Sequence, residues 1–210
     1  MRRLQRFLVV SVLALGIDPG FLGGLPPQAT PPEAEQLRLD MRKLWEDHIT
    51  WTRLFIVSAL ADLPDKAATT DRLLKNQADI GHAIKPFYGD AAGEKLTGLL
   101  RDHILTAADI VTAAKAGDSA KLETAKARWA ANADDIASFL SGANPQNWPA
   151  AEMKSMLRNH LRVTTTELEA RLHRDWKADV QAYEEVHRQI LKRADMLSEG
   201  IVKQLPDRLA

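Results

Sequence analysis

Cysteine is absent from the 210 residues, which removes disulfides, thiolate metal ligands and thiol nucleophiles together. An excess of charge of either sign is also missing, since Lys+Arg and Asp+Glu stand at 28 each. With no basic field, and no basic run interleaved with aromatics, the composition argues against nucleic acid as a partner. Period-2 runs of β-branched residues are lacking, so no segment reads as a strand. Hydrolase machinery has no foothold: Ser58, Ser138 and Ser155 lie within helical stretches, not at a Gly-x-Ser-x-Gly elbow.

Long apolar runs are confined to Phe7–Ile17, behind Arg2, Arg3 and Arg6 and ahead of Asp18-Pro19-Gly20. A run this short after a basic start reads as the core of a secretory signal, because a spanning helix needs about 20 residues. Residues 1–29 are therefore expected to be a signal peptide, which sends the protein to the periplasm or the extracellular space. Left uncleaved, the same segment would anchor the chain to the membrane, the one membrane association expected. Pro26, Pro27, Pro31 and Pro32 predict a stiff Pro-rich leader over 30–36, ahead of a single domain over 37–207.

What is there is helical periodicity. Leu37, Met41, Leu44, His48, Phe55 and Ala59 share one face at 100° per residue, as do Leu96, Leu99, His103, Ala107, Ile110 and Ala114. Breaks fall at Pro64-Asp65, Pro86 to Gly93, Gly117-Asp118-Ser119 and Gly142 to Pro149. Between Pro149 and Gly200 there is neither proline nor glycine. One helix that long is rare in a compact domain, so a bend or hairpin is expected near His173–Trp176. The fold class is all-α, a bundle of five or six helices.

The chain also matches itself. Trp45-Glu46-Asp47-His48-Ile49, Leu100-Arg101-Asp102-His103-Ile104 and Leu157-Arg158-Asn159-His160-Leu161 share Asp or Asn before a histidine and an aliphatic after it. A second motif follows each: Asn76-Gln77-Ala78-Asp79-Ile80, Asn132-Ala133-Asp134-Asp135-Ile136, and Arg193-Ala194-Asp195-Met196. The His-to-Asp separations are 31, 32 and 35 residues. This predicts three tandem helix–turn–helix hairpins, over 33–89, 92–142 and 149–206, each bringing its histidine level with its second motif.

The stretches Leu44 to Arg53, Arg72-Leu73-Leu74-Lys75-Asn76 and Ala194 to Ser198 resemble a family of uncharacterised bacterial helical proteins, over about residues 40–207. Members of that family sometimes carry a glycosyltransferase label. The chain has no βαβ pattern, Gly-rich nucleotide loop or Asp-x-Asp dyad to support sugar transfer, so the resemblance implies a helical fold and no known activity.

His48, His103 and His160 are the candidate functional residues. An imidazole in an apolar stripe costs free energy unless it is hydrogen-bonded or bound to a metal. Three from three helices can converge on a cation inside a bundle, and a thiol-free set suits zinc, copper, nickel or iron. Asp79 and Asp135 are the expected additional ligands, with Asn76, Asn132 and Asp195 as orienting partners. The alternative is a metal-free bundle that binds a small ligand or a partner protein, its His/Asp layer only tying helices together.

A metalloenzyme would need an open coordination position and a general base, and the sequence names neither. Glu184-x-x-His187 has no second copy, against the ferritin pattern of two. Glu167 is expected to pair with Arg171 at i+4. Trp45 and Trp129 are candidates to line a site beside His48 and Asn132.

Overall fold

The computed structural model describes residues 32–209; the expected signal peptide and the start of the leader lie outside the described residues. Within them are α1 (Pro32–Leu60), α2 (Lys66–Tyr88), α3 (Asp90–Ala116), α4 (Ser119–Ala143), α5 (Ala150–Leu172) and α6 (Trp176–Gln204), followed by a 3-10 turn at Pro206–Arg208. The chain is an all-α bundle, with no strand among the described residues. No described helix is long and apolar enough to cross a membrane.

Pro32 opens α1, a position where its missing N–H and fixed φ cost nothing. Ala34 and Leu37 are already buried, so residues 32–36 are the first turns of the helix and not part of an extended leader. The three hairpins turn in one way. Asp62, Gly117 and Arg174 each adopt a left-handed conformation (φ 53°, 68° and 59°). The next N–H then reaches back across the last turn, from Leu63 to Ser58 O (2.9 Å), Asp118 to Ala113 O (3.0 Å) and Asp175 to Ala170 O (3.0 Å). This Schellman closure satisfies carbonyls that a helix end would otherwise leave open.

Asp118 and Asp175 then cap the following helices, accepting from Lys121 N and Ala178 N at 3.0 Å each. Asp118 is thus the N-cap of α4. The turn at Arg174 is the bend expected near His173–Trp176. Between the first two hairpins, α2 and α3 cross at Gly81 and Gly93. A Cβ on either glycine would stand 2.6 Å from the carbonyl oxygen of the other, so only hydrogen fits there.

Each helix packs on its neighbours in sequence, and α1 packs on α6 to close the ring. Contacts of α1 with α3 and with α5 place these three on the inside, with α2, α4 and α6 in the outer grooves. The apolar core has two parts. One includes Met41, Trp45, Leu96, Leu100, Met153 and Leu157, and the other Phe55, Ile56, Ile110, Val111 and Leu168. Between them, one turn from Trp45, Leu100 and Leu157, lies a polar layer.

Candidate functional site: a buried three-histidine chamber

Each histidine precedes the left-handed residue of its own turn by 14 residues (48 to 62, 103 to 117, 160 to 174). At a rise of 1.5 Å per residue, all three stand about 21 Å from the turns, level with one another. All three are buried. The partner of each is an amide 29 residues further on: His48 Nδ1 lies 3.2 Å from Gln77 Oε1, His103 Nδ1 2.8 Å from Asn132 Oδ1, and His160 Nδ1 3.2 Å from Gln189 Oε1.

The other end of each amide is also committed. Asn132 Nδ2 donates to Leu99 O (3.0 Å) and Gln189 Nε2 to Met156 O (3.1 Å), in both cases the carbonyl four residues before the histidine. In the first hairpin the task is divided. Asn76 Nδ2 donates to Leu44 O (3.0 Å), while Gln77 Nε2 donates to Leu73 O (2.8 Å) and to Asn76 Oδ1 (3.1 Å). With every NH2 group spent on an acceptor, the oxygen faces the ring. An amide oxygen can only accept, so each Nδ1 carries the proton and each Nε2 keeps its lone pair.

His160 sits between the other two, its ring centroid 5.9 Å from that of His48 and 6.1 Å from that of His103. Trp45 meets His48 edge-on at 5.6 Å, and Trp129 lies 5.1 Å from His103. Burial disfavours imidazolium: it is the main cause that takes His48 down to about 3, His103 to about 4, and His160 well below the ordinary value. All three are neutral at pH 7.

A guanidinium shares the chamber. Arg193 is only 3% exposed and its Cζ lies 5.4 Å from the centroid of the Trp45 ring, a cation–π contact. Among the described residues its Nε and Nη2, like Trp45 Nε1, have no hydrogen-bond partner. Burial brings Arg193 down to about 9, still protonated at neutral pH, and its charge lowers all three histidines further. The cavity enclosed by these residues, Met156 and neighbouring aliphatics measures about 10 Å³, room for one water or one ion.

The expected carboxylates are not in it. Asp79 pairs with Lys75 at 2.9 Å on the flank of α2, Asp135 is exposed, and Asp195 holds Arg42 through both oxygens (2.6 and 2.7 Å). Each lies two residues beyond a buried position (Gln77, Ala133, Arg193), which is about 200° round a helix. Asp79 and Asp135 thus stand outside the chamber, and Asp195 is bonded to Arg42 and not to His160. Asn132 does orient its histidine directly, and Asn76 acts through Gln77.

Gln77 and Gln189, which sequence reasoning did not single out, were open to a search for amides at constant distance from each histidine. Among the described residues, no three His, Cys, Asp or Glu side chains form a ready-made metal cage.

A second buried polar cluster lies further toward the turns. Glu167 bonds to Arg53 Nη1 (2.7 Å), and Asp179 takes both Arg53 (2.9 and 3.0 Å) and Arg171 (2.9 Å). Glu167 thus pairs across to α1, not with Arg171 on its own helix, because Asp179 already holds Arg171. Burial pushes the Glu167 carboxyl up to about 7 against the pull of Arg53, whereas hydrogen bonds from two guanidinium groups outweigh burial and lower that of Asp179. His187 Nε2 meets Glu46 Oε1 at 2.9 Å on the α1–α6 surface, remote from the chamber.

No protein-family model, no curated protein and no solved structure matches the chain.

Proposed function

We propose that the protein is a metal-binding helical bundle in which the Nε2 atoms of His48, His103 and His160 take one transition-metal ion. The observation that carries this reading is the protonation state set by the amides. All three rings donate from Nδ1 and present a bare Nε2, the arrangement in which outer partners orient metal-ligating histidines. Three imidazoles on one tetrahedral ion, with bonds of about 2.0–2.1 Å, would have centroids roughly 5 Å apart. The observed 5.9 and 6.1 Å from His160 to His48 and His103 are each about 1 Å longer, so binding would require all three rings, His48 and His103 included, to draw together.

One observation favours the metal-free reading instead: Arg193 already brings a positive charge to the lone pairs. In that reading the layer fixes the register of three hairpins, and the bundle serves a small ligand or partner protein elsewhere.

Metal content by mass spectrometry separates the two. The protein is purified without a His-tag, reloaded with transition metals, and desalted beside His103→Ala and His160→Ala variants whose helicity is checked by circular dichroism. About one equivalent of metal per chain, lost in folded variants, supports the site. No retained metal in the parent overturns it and leaves the histidines as a structural layer.

A further inference from the structure

We propose that the chamber takes one small monovalent anion, a halide such as chloride, held by the guanidinium of Arg193 and the indole N–H of Trp45. This goes beyond the metal reading and concerns the chain without metal. Arg193 and Trp45 are both buried and both border the cavity. Among the described residues, Arg193 Nε and Nη2 and Trp45 Nε1 are donors with no acceptor. The Trp45 face that meets the guanidinium attracts its charge but takes none of its hydrogen bonds. No carboxylate borders the cavity: Asp195 holds Arg42, while Glu167 and Asp179 hold Arg53. A buried cation left without an opposite charge is costly, and an anion beside it offsets that cost.

The internal repeat shows that the fold does not need this charge. Four residues after the amide that meets each histidine stand Gly81, Ile136 and Arg193. Three residues before each histidine stand Trp45, Leu100 and Leu157. Arg193 and Trp45 are thus the two departures from apolar positions without side-chain N–H groups, and they meet where α6 closes on α1. At about 10 Å³ the cavity has room for a water or a monatomic ion and excludes phosphate, sulfate and carboxylates. A water would accept from the same donors but carries no charge to set against the guanidinium, whereas a halide does both.

The titratable groups around the cavity are His48 on α1, His103 on α3, His160 on α5 and Arg193 on α6. From α2, α4 and α6 the rings meet only the neutral amides of Gln77, Asn132 and Gln189. The charge of Arg193 is one of the causes that hold the three imidazoles low. An anion beside it relieves that effect and favours uptake of a proton at an Nε2, which becomes a further donor. The halide should therefore bind more tightly at pH 5 than at pH 8.

The test uses the full chain, stripped of metal by chelation, in potassium gluconate that is replaced stepwise by potassium bromide at fixed ionic strength. Melting temperatures of the parent and of Arg193→Leu are compared at each step, which cancels salt effects common to both. In gluconate the Leu variant should melt higher. With bromide the gap should narrow by about 5 °C and then level off, as one site fills. Trp45→Phe keeps the ring face, loses the N–H, and should weaken bromide about tenfold. Crystals of the parent grown in bromide should show one anomalous scattering peak beside Arg193. A gap that stays constant from gluconate to bromide, or a chamber holding water and no anomalous peak, overturns the proposal. Every sample is free of metal, so these outcomes bear on the anion alone, and the metal reading is decided by metal content.

Discussion

His103 Nδ1 and Asn132 Oδ1 are 2.8 Å apart, and through this bond α3 and α4 are held in one register. Asn132 also grips Leu99 O on the neighbouring helix, so one amide meets both the imidazole and the backbone one turn before it. Replacing Asn132 by Leu strands the Nδ1 proton of a buried ring, at an expected loss of about 1–3 kcal/mol. The double change His103→Leu with Asn132→Leu removes donor and acceptor together and should recover part of that loss. Urea unfolding of the four forms measures the coupling; simple additivity would show that the bond contributes nothing.

Acid should destabilise the metal-free protein through its core. His48, His103 and His160 have folded pKa values held below those of the unfolded chain. Their contribution is complete above about 6.5 and is lost on acidification, for His48 toward about 3 and for His103 toward about 4, with a slope of up to about 1.4 kcal/mol per pH unit for each proton. Unfolding free energy measured between pH 7 and 4 should fall less steeply in His103→Leu, by one proton. An unchanged slope would mean that this imidazole takes up its proton alike in the folded and the unfolded chain.

Glu167 works in the opposite direction. Burial raises its folded pKa from the ordinary 4.5 to about 7, so its contribution is present below 4.5 and is lost as pH rises through 7. Relative to Glu167→Gln, the parent should lose stability between pH 5 and 8. Thermal melts of the pair across that range check it, and parallel curves would place the carboxyl in a normal titration range.

Arg193 buries a charge with two unpartnered nitrogens. Arg193→Leu should raise the stability of the metal-free protein by about 1–3 kcal/mol, as apolar replacements of buried ionic groups often do. A loss of stability on this change would show that the guanidinium is compensated inside the chamber.

The α2–α3 crossing tolerates no methyl group. In Gly81→Ala the new Cβ would lie 2.6 Å from Gly93 O and 1.9 Å from Thr97 Oγ1. The threonine can rotate away, but the backbone oxygen cannot without moving a helix. The expected cost is about 1–3 kcal/mol, read as a fall in melting temperature, and an unchanged melting temperature would show that the crossing has slack.

The helices and most of their breaks were legible because apolar spacing marks one face of a helix and glycine or proline marks its ends. The histidines were legible as residues out of keeping with the stripes they occupy. Their partners were not. The first two hairpins invited alignment on Asn76 and Asn132, but the position matching Asn132 is Gln77. A shift of one residue turns a side chain by about 100°, and sequence alone cannot decide between adjacent amides. Two of the three turn residues, Asp62 and Arg174, gave no glycine signal, which hid a spacing that is constant in all three hairpins.

By itself the amino-acid sequence determined an all-helical chain, three hairpins and three histidines on inward faces, because periodicity and breakers act locally. Only the tertiary structure decided that the ring closes through α1 and α6, that amides and not carboxylates hold the imidazoles, and that Arg193 enters their chamber. Those outcomes depend on which surfaces meet across more than a hundred residues, as in Arg53 with Glu167, 114 residues apart. Local pattern sets the face a side chain occupies, while burial and the competition for hydrogen-bond partners choose what it touches there.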